Sequence, residues 1–274
     1  MKNKIISKVQ LSDSIFKIEV EAPLIARSRK PGNFVMVRVG ENGERIPLTI
    51  ADANRDKGTI TMVVQKMGVS SAKLCELNSG DCITDLVGPL GKPTKIEKVG
   101  TVLACCGGVG VAPMLPIIEA HQKVGNRVIT ILAARTKELV ILEEEVRKFS
   151  DEVVIMTDDG SYGNKGLVTA GMEQVIARES IHECVTIGPA IMMKFCAETT
   201  RKYDIHTVAS LNSIMVDGTG MCGACRVSVA GKTRFTCIDG PEFDAHQVDF
   251  DEILTRLKGY QDKEKLGNKL QEVK

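Results

Sequence analysis

Residues 101–116 have the sequence TVLACCGGVGVAPMLP, and its pattern predicts how the larger part of the chain folds. Its first part, TVLACC, is a nearly uninterrupted apolar run, which is typical of a strand buried on both faces of a parallel sheet. The glycines lead directly into a helix-forming segment, where backbone amides at a helix N-terminus can approach a pyrophosphate. The sequence therefore predicts a strand, a glycine turn and a helix, with candidate nucleotide contacts at Gly108, Gly110, Val111 and Pro113.

The same alternation continues towards the C-terminus. Apolar strands are predicted at 127–134, 152–158 and 183–188, and helices at 112–125, 138–149, 168–179 and 190–203. This order predicts a doubly wound parallel α/β sheet, in which ligands bind at the carboxyl ends of the strands. Two further loops lie at such ends, TDDGSYG (157–163) and GPAIMM (188–193). They add Asp159, Gly188, Pro189 and Met192 to the candidate nucleotide contacts.

The N-terminal third has a different rhythm, with short strands separated by turn residues. Strands are predicted at 4–11, 14–22, 33–39, 45–51, 59–65 and 82–88, with one brief helix at 70–77. Such spacing predicts a small antiparallel β-barrel. The chain is therefore expected to be an α+β multidomain protein, with a barrel at 1–97, a parallel α/β domain at 98–209 and a smaller segment at 210–274.

Three of the nine cysteines are grouped in that last segment, in DGTGMCGAC (217–225) and at Cys237. Cys222 and Cys225 can bind one metal centre from a single turn, and Cys237 adds a third thiolate. The spacing resembles the plant-type [2Fe-2S] pattern, except that Asp217 stands where the first cysteine belongs. The other six cysteines are expected to fill the core. They are Cys75, Cys82, Cys105, Cys106, Cys184 and Cys196.

Two interpretations of this cysteine group stay open. In the first, Asp217 and the three cysteines bind a [2Fe-2S] cluster; in the second, the cysteines hold a structural zinc with a distant fourth ligand such as His246. The glycine density favours the cluster, because a loop wrapped around a bulky inorganic core needs positive φ angles and close backbone approach. We expect those conformations at Gly218, Gly220 and Gly223.

Composition excludes several classes of partner. The 36 basic and 35 acidic residues leave a formal charge of +1, which gives no general attraction to nucleic acid or to an anionic membrane. No apolar stretch approaches the roughly 20 residues that cross a bilayer. Cysteines without a secretion signal are better explained by reduced thiols and metal ligation than by disulfides. We therefore expect a cytoplasmic protein that binds small molecules and protein partners.

The order of these motifs resembles the ferredoxin-NADP reductase superfamily: a barrel with RIPLT (45–49), then GGVGVAPM, a glycine-rich turn and GPAIMM. With the cysteine segment added, the whole chain is similar to the dihydroorotate dehydrogenase electron-transfer subunit family. The resemblance implies FAD, NAD(H) and a [2Fe-2S] cluster as cofactors. It places the nicotinamide near GPAIMM. The residues that it assigns to FAD are Arg45, Pro47, Leu48, Thr49, Gly68, Ser70 and Ser71, and those that it assigns to the adenosine ribose are Arg135 and Glu138.

A serine-capped helix is the alternative explanation for GVSSAKL (68–74). No catalytic acid or base is expected, since hydride passes directly between nicotinamide and flavin. The absence of a basic pair beside Arg135 favours NAD(H) over NADP(H).

Within this family, a ligand pattern with aspartate at the first position resembles that of the small subunits of NADH-dependent ferredoxin:NADP oxidoreductases. That resemblance implies a heterodimer with a larger iron-sulfur flavoprotein subunit that reacts with NADP(H) and ferredoxin, and electron bifurcation between the three couples. A dihydroorotate dehydrogenase catalytic subunit is the alternative partner. A zinc-stapled nucleotide-binding module without a redox role is the alternative of another class. The charged segment at 251–274 is expected to be a solvated tail, or a surface helix that docks on a partner.

Overall fold

The N-terminal third of the chain consists of antiparallel β-structure. A computed structural model describes residues 3–259 of the chain. The first strands are β1 (Ile5–Ser12), β2 (Ile15–Glu21), β3 (Phe34–Arg38), β4 (Arg45–Thr49), β5 (Asp52–Asn54), β6 (Thr59–Gln65) and β7 (Asp85–Leu90), and the helices among them are α1 (Pro23–Ser28) and α2 (Val69–Glu76). The sequence did not predict β5 and α1, which are too short to carry a periodic signal.

These strands pair in two sheets, with the orders β1-β2-β6-β5 and β4-β3-β7, and every pairing is antiparallel. The sheets share one core, in which Ile18 and Ile60 of the first sheet join Val35 and Val37 of β3. Because side chains alternate between the two faces of a strand, the intervening residues Phe34 and Met36 point away from that core. They are also buried, so β3 is covered on both faces.

The remainder of the chain forms the predicted parallel sheet and a short C-terminal hairpin. Its strands are β8 (Thr101–Gly107), β9 (Arg127–Ala134), β10 (Glu152–Thr157), β11 (Asn164–Lys165), β12 (Glu183–Ile187), β13 (His206–Ser210), β14 (Arg226–Val229), β15 (Lys232–Phe235) and β16 (Glu242–Asp244). Its helices are α3 (Val111–Lys123), α4 (Glu143–Phe149), α5 (Val168–Ile176), α6 (Ala190–Arg201) and α7 (Thr236–Asp239). Short 3-10 turns lie at Gly108–Gly110, Lys137–Leu139 and Ala245–Gln247.

Seven strands make this sheet, in the order β11-β10-β9-β8-β12-β13-β16. All neighbours are parallel except β16, which runs antiparallel to β13. Successive residues of β8 enter different cores: Val102 and Ala104 pack with α3, whereas Leu103 and Cys105 pack with α5 and α6. This burial on both faces explains why TVLACC is apolar throughout, and it confirms the predicted parallel sheet.

The C-terminal segment is more closely joined to this sheet than the sequence indicated. Strand β13 was not predicted, and β16 returns from beyond the cysteines to pair with it, Ala209 opposite Phe243. Residues 250–259 are helical, with Phe250 and Ile253 buried against Met193 of α6. The expectation of a solvated tail is therefore wrong for this part, and the rest of that prediction, 260–274, lies outside the described residues. Over residues 3–259, no helix is both long enough and apolar enough to span a membrane.

A largely buried carboxyl group joins the two halves of the molecule. The Thr94 hydroxyl donates to Glu242 Oε1 at 2.6 Å, and the Thr94 amide donates to the Pro31 carbonyl at 2.9 Å. Thr94 thus connects β16 to the loop before β3. Burial raises the pKa of Glu242 to about 7, and the nearby Glu183 carboxylate adds to the increase. Around neutral pH the charge of this junction is therefore sensitive to proton concentration.

We predict that Glu242→Gln makes the free energy of unfolding less dependent on pH. A raised carboxyl pKa stabilises the fold fully below the unfolded value of about 4.5, and this contribution is lost as pH rises through about 7. Glutamine keeps an acceptor for Thr94 without ionising. The free energy of unfolding of the variant, measured with urea, should therefore rise relative to that of wild type between pH 5.5 and 8.5. Exposed Glu144→Gln is the control, and an unchanged difference between Glu242→Gln and wild type across this range would contradict the prediction.

Candidate functional site

A cavity lies at the point where the strand order of the parallel sheet reverses. From β8 the chain builds β9 and β10 on one side and then returns to place β12 and β13 on the other. Loops leaving adjacent strands in opposite directions open a crevice at their carboxyl ends. The glycine turn after β8 and Gly188-Pro189 after β12 border a cavity of about 1070 Å³ at this position.

The N-terminal sheets form the opposite wall of this cavity. The residues contributed by β4 and β6 are Pro47, Leu48, Thr49, Val63 and Gln65. Across from them lie the candidate nucleotide contacts Gly108, Gly110, Pro113, Arg135, Gly188, Pro189 and Met192. All of these lining residues except Val63 and Gln65 were predicted contacts. Ten predicted residues from separate parts of the sequence thus surround one space that can accommodate a nucleotide and a flavin ring together.

Tight packing, as well as ligand approach, explains the glycine after β8. A Cβ at Gly110 would lie 2.3 Å from the carbonyl oxygen of Ile187, so only glycine lets the β8 and β12 loops meet. Gly108 has φ +54°, and a Cβ there would meet nothing within 4 Å. Its backbone is therefore open to the cavity, as the predicted approach to a diphosphate requires.

The other predicted contacts do not line the cavity. Arg45 is exposed at the start of β4, and Val111 is buried in the first turn of α3. Ser71 Oγ accepts from the amides of Met67 and Gly68, both at 3.0 Å, so it caps α2. This is the geometry of the alternative helix-cap interpretation.

Ser70 and the two acidic candidates also have partners within the protein. Ser70 Oγ donates to Glu44 at 3.0 Å. Asp159 Oδ1 accepts from the amide and hydroxyl of Ser161 at 2.9 and 2.7 Å, which lowers its pKa. Glu138 is exposed, and a hydrogen bond with Thr136 lowers its pKa. These side chains organise the rim loops, and Asp158 lines the cavity where the sequence favoured Asp159.

Several residues that line the cavity were not predicted from the sequence. Asp158 directly follows β10, so its position at a strand end was a usable signal. Ile191 and Phe195 are four residues apart on α6 and both are about half exposed, a helical spacing that could have been recognised. Phe34 and Met215 come from distant parts of the chain, and no local pattern connects them.

The predicted cluster ligands lie as two pairs. Cys225 and Cys237 are buried with their Sγ atoms 3.2 Å apart, and Cys222 Sγ lies 3.4 Å from Asp217 Oδ1. The first pair follows from the β14–β15 hairpin, in which Arg226 is opposite Phe235. Two irons with two protein ligands each match this arrangement better than one tetrahedral zinc does. Within residues 3–259, no three histidine, cysteine or acidic side chains converge on a single metal position.

Electrostatics distinguishes the two pairs. Asp217 accepts amide hydrogen bonds from Thr219, Met221 and Cys222 at 3.0 to 3.1 Å. Its hydrogen bonds with Thr219, foremost, and with Cys222 lower its pKa to about 2. Burial, with Cys225 adjacent, raises the pKa of Cys237 to about 12. The Cys237 thiol therefore needs a metal cation to become a thiolate, whereas the Asp217 carboxylate is already ionised.

The fourth ligand proposed for the zinc alternative is engaged elsewhere. His246 Nε2 lies 2.9 Å from Thr200 Oγ1 on α6, and its backbone amide donates to Asp244.

Gly218, Gly220 and Gly223 all have the predicted positive φ angles. A Cβ at Gly218 would lie 2.7 Å from Met36 Cγ of β3, so the backbone of the cysteine loop (residues 217–225) packs directly against that strand.

Of the six cysteines expected in the core, five are buried, but Cys82 is exposed, which corrects that prediction.

Fold and site together define a flavin reductase-like protein with a metal-binding extension. Residues 212–249 match the sequence profile described as the iron-sulfur cluster binding domain of dihydroorotate dehydrogenase B. The chain is 46% identical over 265 residues to a Thermotoga maritima protein named dihydroorotate dehydrogenase B (NAD(+)), electron transfer subunit homolog, which covers 97% of this chain and 94% of the relative. The chain therefore belongs to the family of dihydroorotate dehydrogenase B electron-transfer subunits.

Solved structures agree with this assignment. A structure described as the NADH-dependent reduced ferredoxin-NADP oxidoreductase, studied for flavin-based electron bifurcation, superposes with a TM-score of 0.93 at 43% identity, covering 98% of this chain and 97% of that one. The cytochrome b5 reductase domain of Ulva prolifera nitrate reductase has a TM-score of 0.62 at 18% identity, over 74% of this chain and 92% of that one, and shares the fold alone. The predicted family, and its class as a flavin and iron-sulfur oxidoreductase subunit, are confirmed.

We predict that Gly218→Ala destabilises the protein more than Gly231→Ala. Both glycines have positive φ, so each alanine should cost about 1–2 kcal/mol in backbone strain. Only Gly218 faces Met36, and overpacking should add about 1–3 kcal/mol there, since a Cβ at Gly231 meets nothing within 4 Å. Thermal unfolding and iron content per chain would measure both effects. Equal losses in the two variants would contradict the proposed contact.

Proposed function

We propose that this chain passes electrons between NAD(H), FAD and a [2Fe-2S] cluster, and exchanges them with a larger partner subunit. One observation carries the proposal: the large cavity and the buried Cys225–Cys237 pair are in contact with the same buried residues, Phe34 and Met215. A flavin supplies the needed chemistry, since it exchanges two electrons with nicotinamide and single electrons with a cluster. Membership of an electron-transfer subunit family supports the same function.

The two N-terminal sheets are proposed as the FAD-binding barrel, with the predicted division at 1–97, 98–209 and 210–274. Pro47, Leu48 and Thr49 of β4 would contact the isoalloxazine ring, because they line the cavity. Arg45 at the exposed end of the same strand would pair with the diphosphate. Gly68 and the amides of the first turn of α2 would complete the anion site, while Ser71 caps that turn.

NAD(H) is proposed to enter from the parallel sheet. Gly108 and Gly110 offer backbone amides at the start of α3, and Gly188, Pro189 and Met192 would hold the nicotinamide against the flavin. Among the described residues that line the cavity, only Arg135 and Asp158 have ionisable side chains. Direct hydride transfer needs no protein acid or base, and this lining fits that chemistry. The carboxylate of Asp158 would repel a 2′-phosphate, which favours NAD(H) over NADP(H).

The four predicted ligands would hold the cluster two to each iron, Asp217 with Cys222 and Cys225 with Cys237. All nine cysteines are unpaired by disulfides, which supports a reducing, cytoplasmic environment. The amide of Gly220 is directed at Cys237, a hydrogen bond of the type that tunes cluster potentials.

We expect anaerobically purified protein to contain FAD, iron and sulfide, and to bleach on addition of NADH. Cys225→Ser should keep FAD and its reduction by NADH but lose the cluster, because it removes one member of the buried pair. Exposed Cys82→Ser is the matched control and should keep both chromophores. Visible spectra and metal analysis measure these outcomes. A colourless protein containing zinc and no iron would reject the proposal in favour of the zinc-stapled module.

For the partner, we propose a larger subunit with FAD and [4Fe-4S] clusters that reacts with NADP(H) and ferredoxin, so that the complex bifurcates electrons. The supporting observations are the aspartate at the first ligand position and the likeness, over 98% of this chain, to the bifurcating oxidoreductase structure. The names of the relatives favour a second candidate, a dihydroorotate dehydrogenase catalytic subunit.

Purification of the native complex separates the two candidates. We expect a co-eluting flavoprotein with additional iron and NADPH-linked ferredoxin chemistry, and no oxidation of dihydroorotate. Identification of the co-eluting chain by mass spectrometry, with a dihydroorotate oxidation assay on the same fraction, makes the comparison. A dihydroorotate-oxidising subunit in stoichiometric amount would reject the bifurcating assembly.

A further inference from the structure

The cavity and the buried ligand pair share a wall of two side chains. Phe34 and Met215 both line the cavity, and both belong to the apolar cluster that contains Cys225 and Cys237. Their exposed fractions are only 3% and 7%. Met36 completes this cluster and does not line the cavity. Each side of the wall therefore faces a different proposed cofactor.

The register of the β4-β3-β7 sheet explains why these residues meet. Phe34 is directly opposite Thr49, and Met36 is opposite Pro47, so all four side chains point to the same face. Neighbouring strands lie about 4.8 Å apart. The proposed flavin contacts on β4 and the cysteine loop over β3 are thus separated by about one strand spacing.

Met215 closes the gap above this face from the loop that follows β13. That loop is fixed by the amide of Leu211, which donates to the Pro241 carbonyl at 2.9 Å. The members of the apolar cluster are phenylalanine, methionine, leucine and cysteine side chains, without a charged or amide group. Such a wall excludes water from the inner side of the ligand site.

A dry surrounding has a consequence for reduction of the site. Each electron accepted adds negative charge, and water or polar groups stabilise added charge better than methionine and phenylalanine do. Solvent exposure is one of the factors that set iron-sulfur potentials. An apolar wall on the side of Cys225 and Cys237 should therefore keep the reduction potential low.

We propose that Met215, backed by Phe34, is a positioning residue that forms a dry partition between the flavin cavity and the cluster and holds the cluster's reduction potential low. This inference rests on the proposed function, because it requires both cofactors. It assigns a role to a side chain outside the set of ligands and cavity contacts predicted from the sequence.

The test compares Met215→Gln, which keeps the length of the side chain but adds an amide, with Met215→Leu, which stays apolar. Met221→Gln is the matched control, because the Met221 side chain is 88% exposed on the same loop. FAD, iron and sulfide are first measured in every protein. If wild type lacks FAD or the cluster, the proposed function fails, and the failure is recognised before any potential is compared.

EPR-monitored redox titration with dithionite then gives the midpoint potential of the cluster. We expect Met215→Gln to shift the equilibrium towards the reduced cluster by about threefold or more, which is about 28 mV for one electron. Met215→Leu and Met221→Gln should match wild type. If Met215→Gln does not retain the cluster, Met215→Ala, which admits water, should show the same positive shift. A wild-type potential in the variant examined, or an equal shift in Met221→Gln, would overturn the inference.

Discussion

The contact between the cysteine loop and strand β3 is the constraint on which the site depends. The backbone at Gly218 lies against Met36, and a Cβ there would be only 2.7 Å from Met36 Cγ. This contact places the loop on the outer face of β3, while the inner face of the same strand packs in the core of the N-terminal sheets. One strand therefore supports a core, a cavity wall and a ligand site, and its burial on both faces gives it little freedom to move.

Much of this arrangement could be predicted from the sequence because its signals are local. The apolar run of β8 required burial on both faces, and the loops after parallel strands had to meet at one edge of the sheet. The cysteine spacing and the positive-φ glycines predicted the conformation of the loop without knowledge of its neighbours. Motif order then added the family, and with it the proposed flavin contacts on β4 that local physics alone would not have selected.

The features that were not predicted depend on strand pairing and packing between segments that are distant in the sequence. Strand β16 has three residues, too few for a pattern, and only its register with β13 makes it a strand. The helix at 250–259 has a charged sequence, and its burial depends on apolar positions that α6 offers. Asp158 and Asp159 are adjacent, and the hydrogen bonds of Ser161, formed only in the folded turn, decide which of them organises the rim. Phe34 and Met215 lie far apart in the sequence and come together only in the folded apolar cluster.

The two ligand pairs differ in burial and in the polarity of their surroundings. Cys225 and Cys237 are buried and contact the wall of the cavity, whereas Cys222 is exposed and its partner Asp217 accepts hydrogen bonds from three backbone amides. The inner pair is formed by a hairpin and the outer pair by hydrogen bonds within the loop itself. A partner that approaches from solvent would therefore meet the pair with the oxygen ligand, while the flavin side would meet two sulfurs in an apolar setting. Because reduction adds charge, the polar outer half is the side on which that charge would be better stabilised, so a partner at that side would contact the half of the site that carries the added charge.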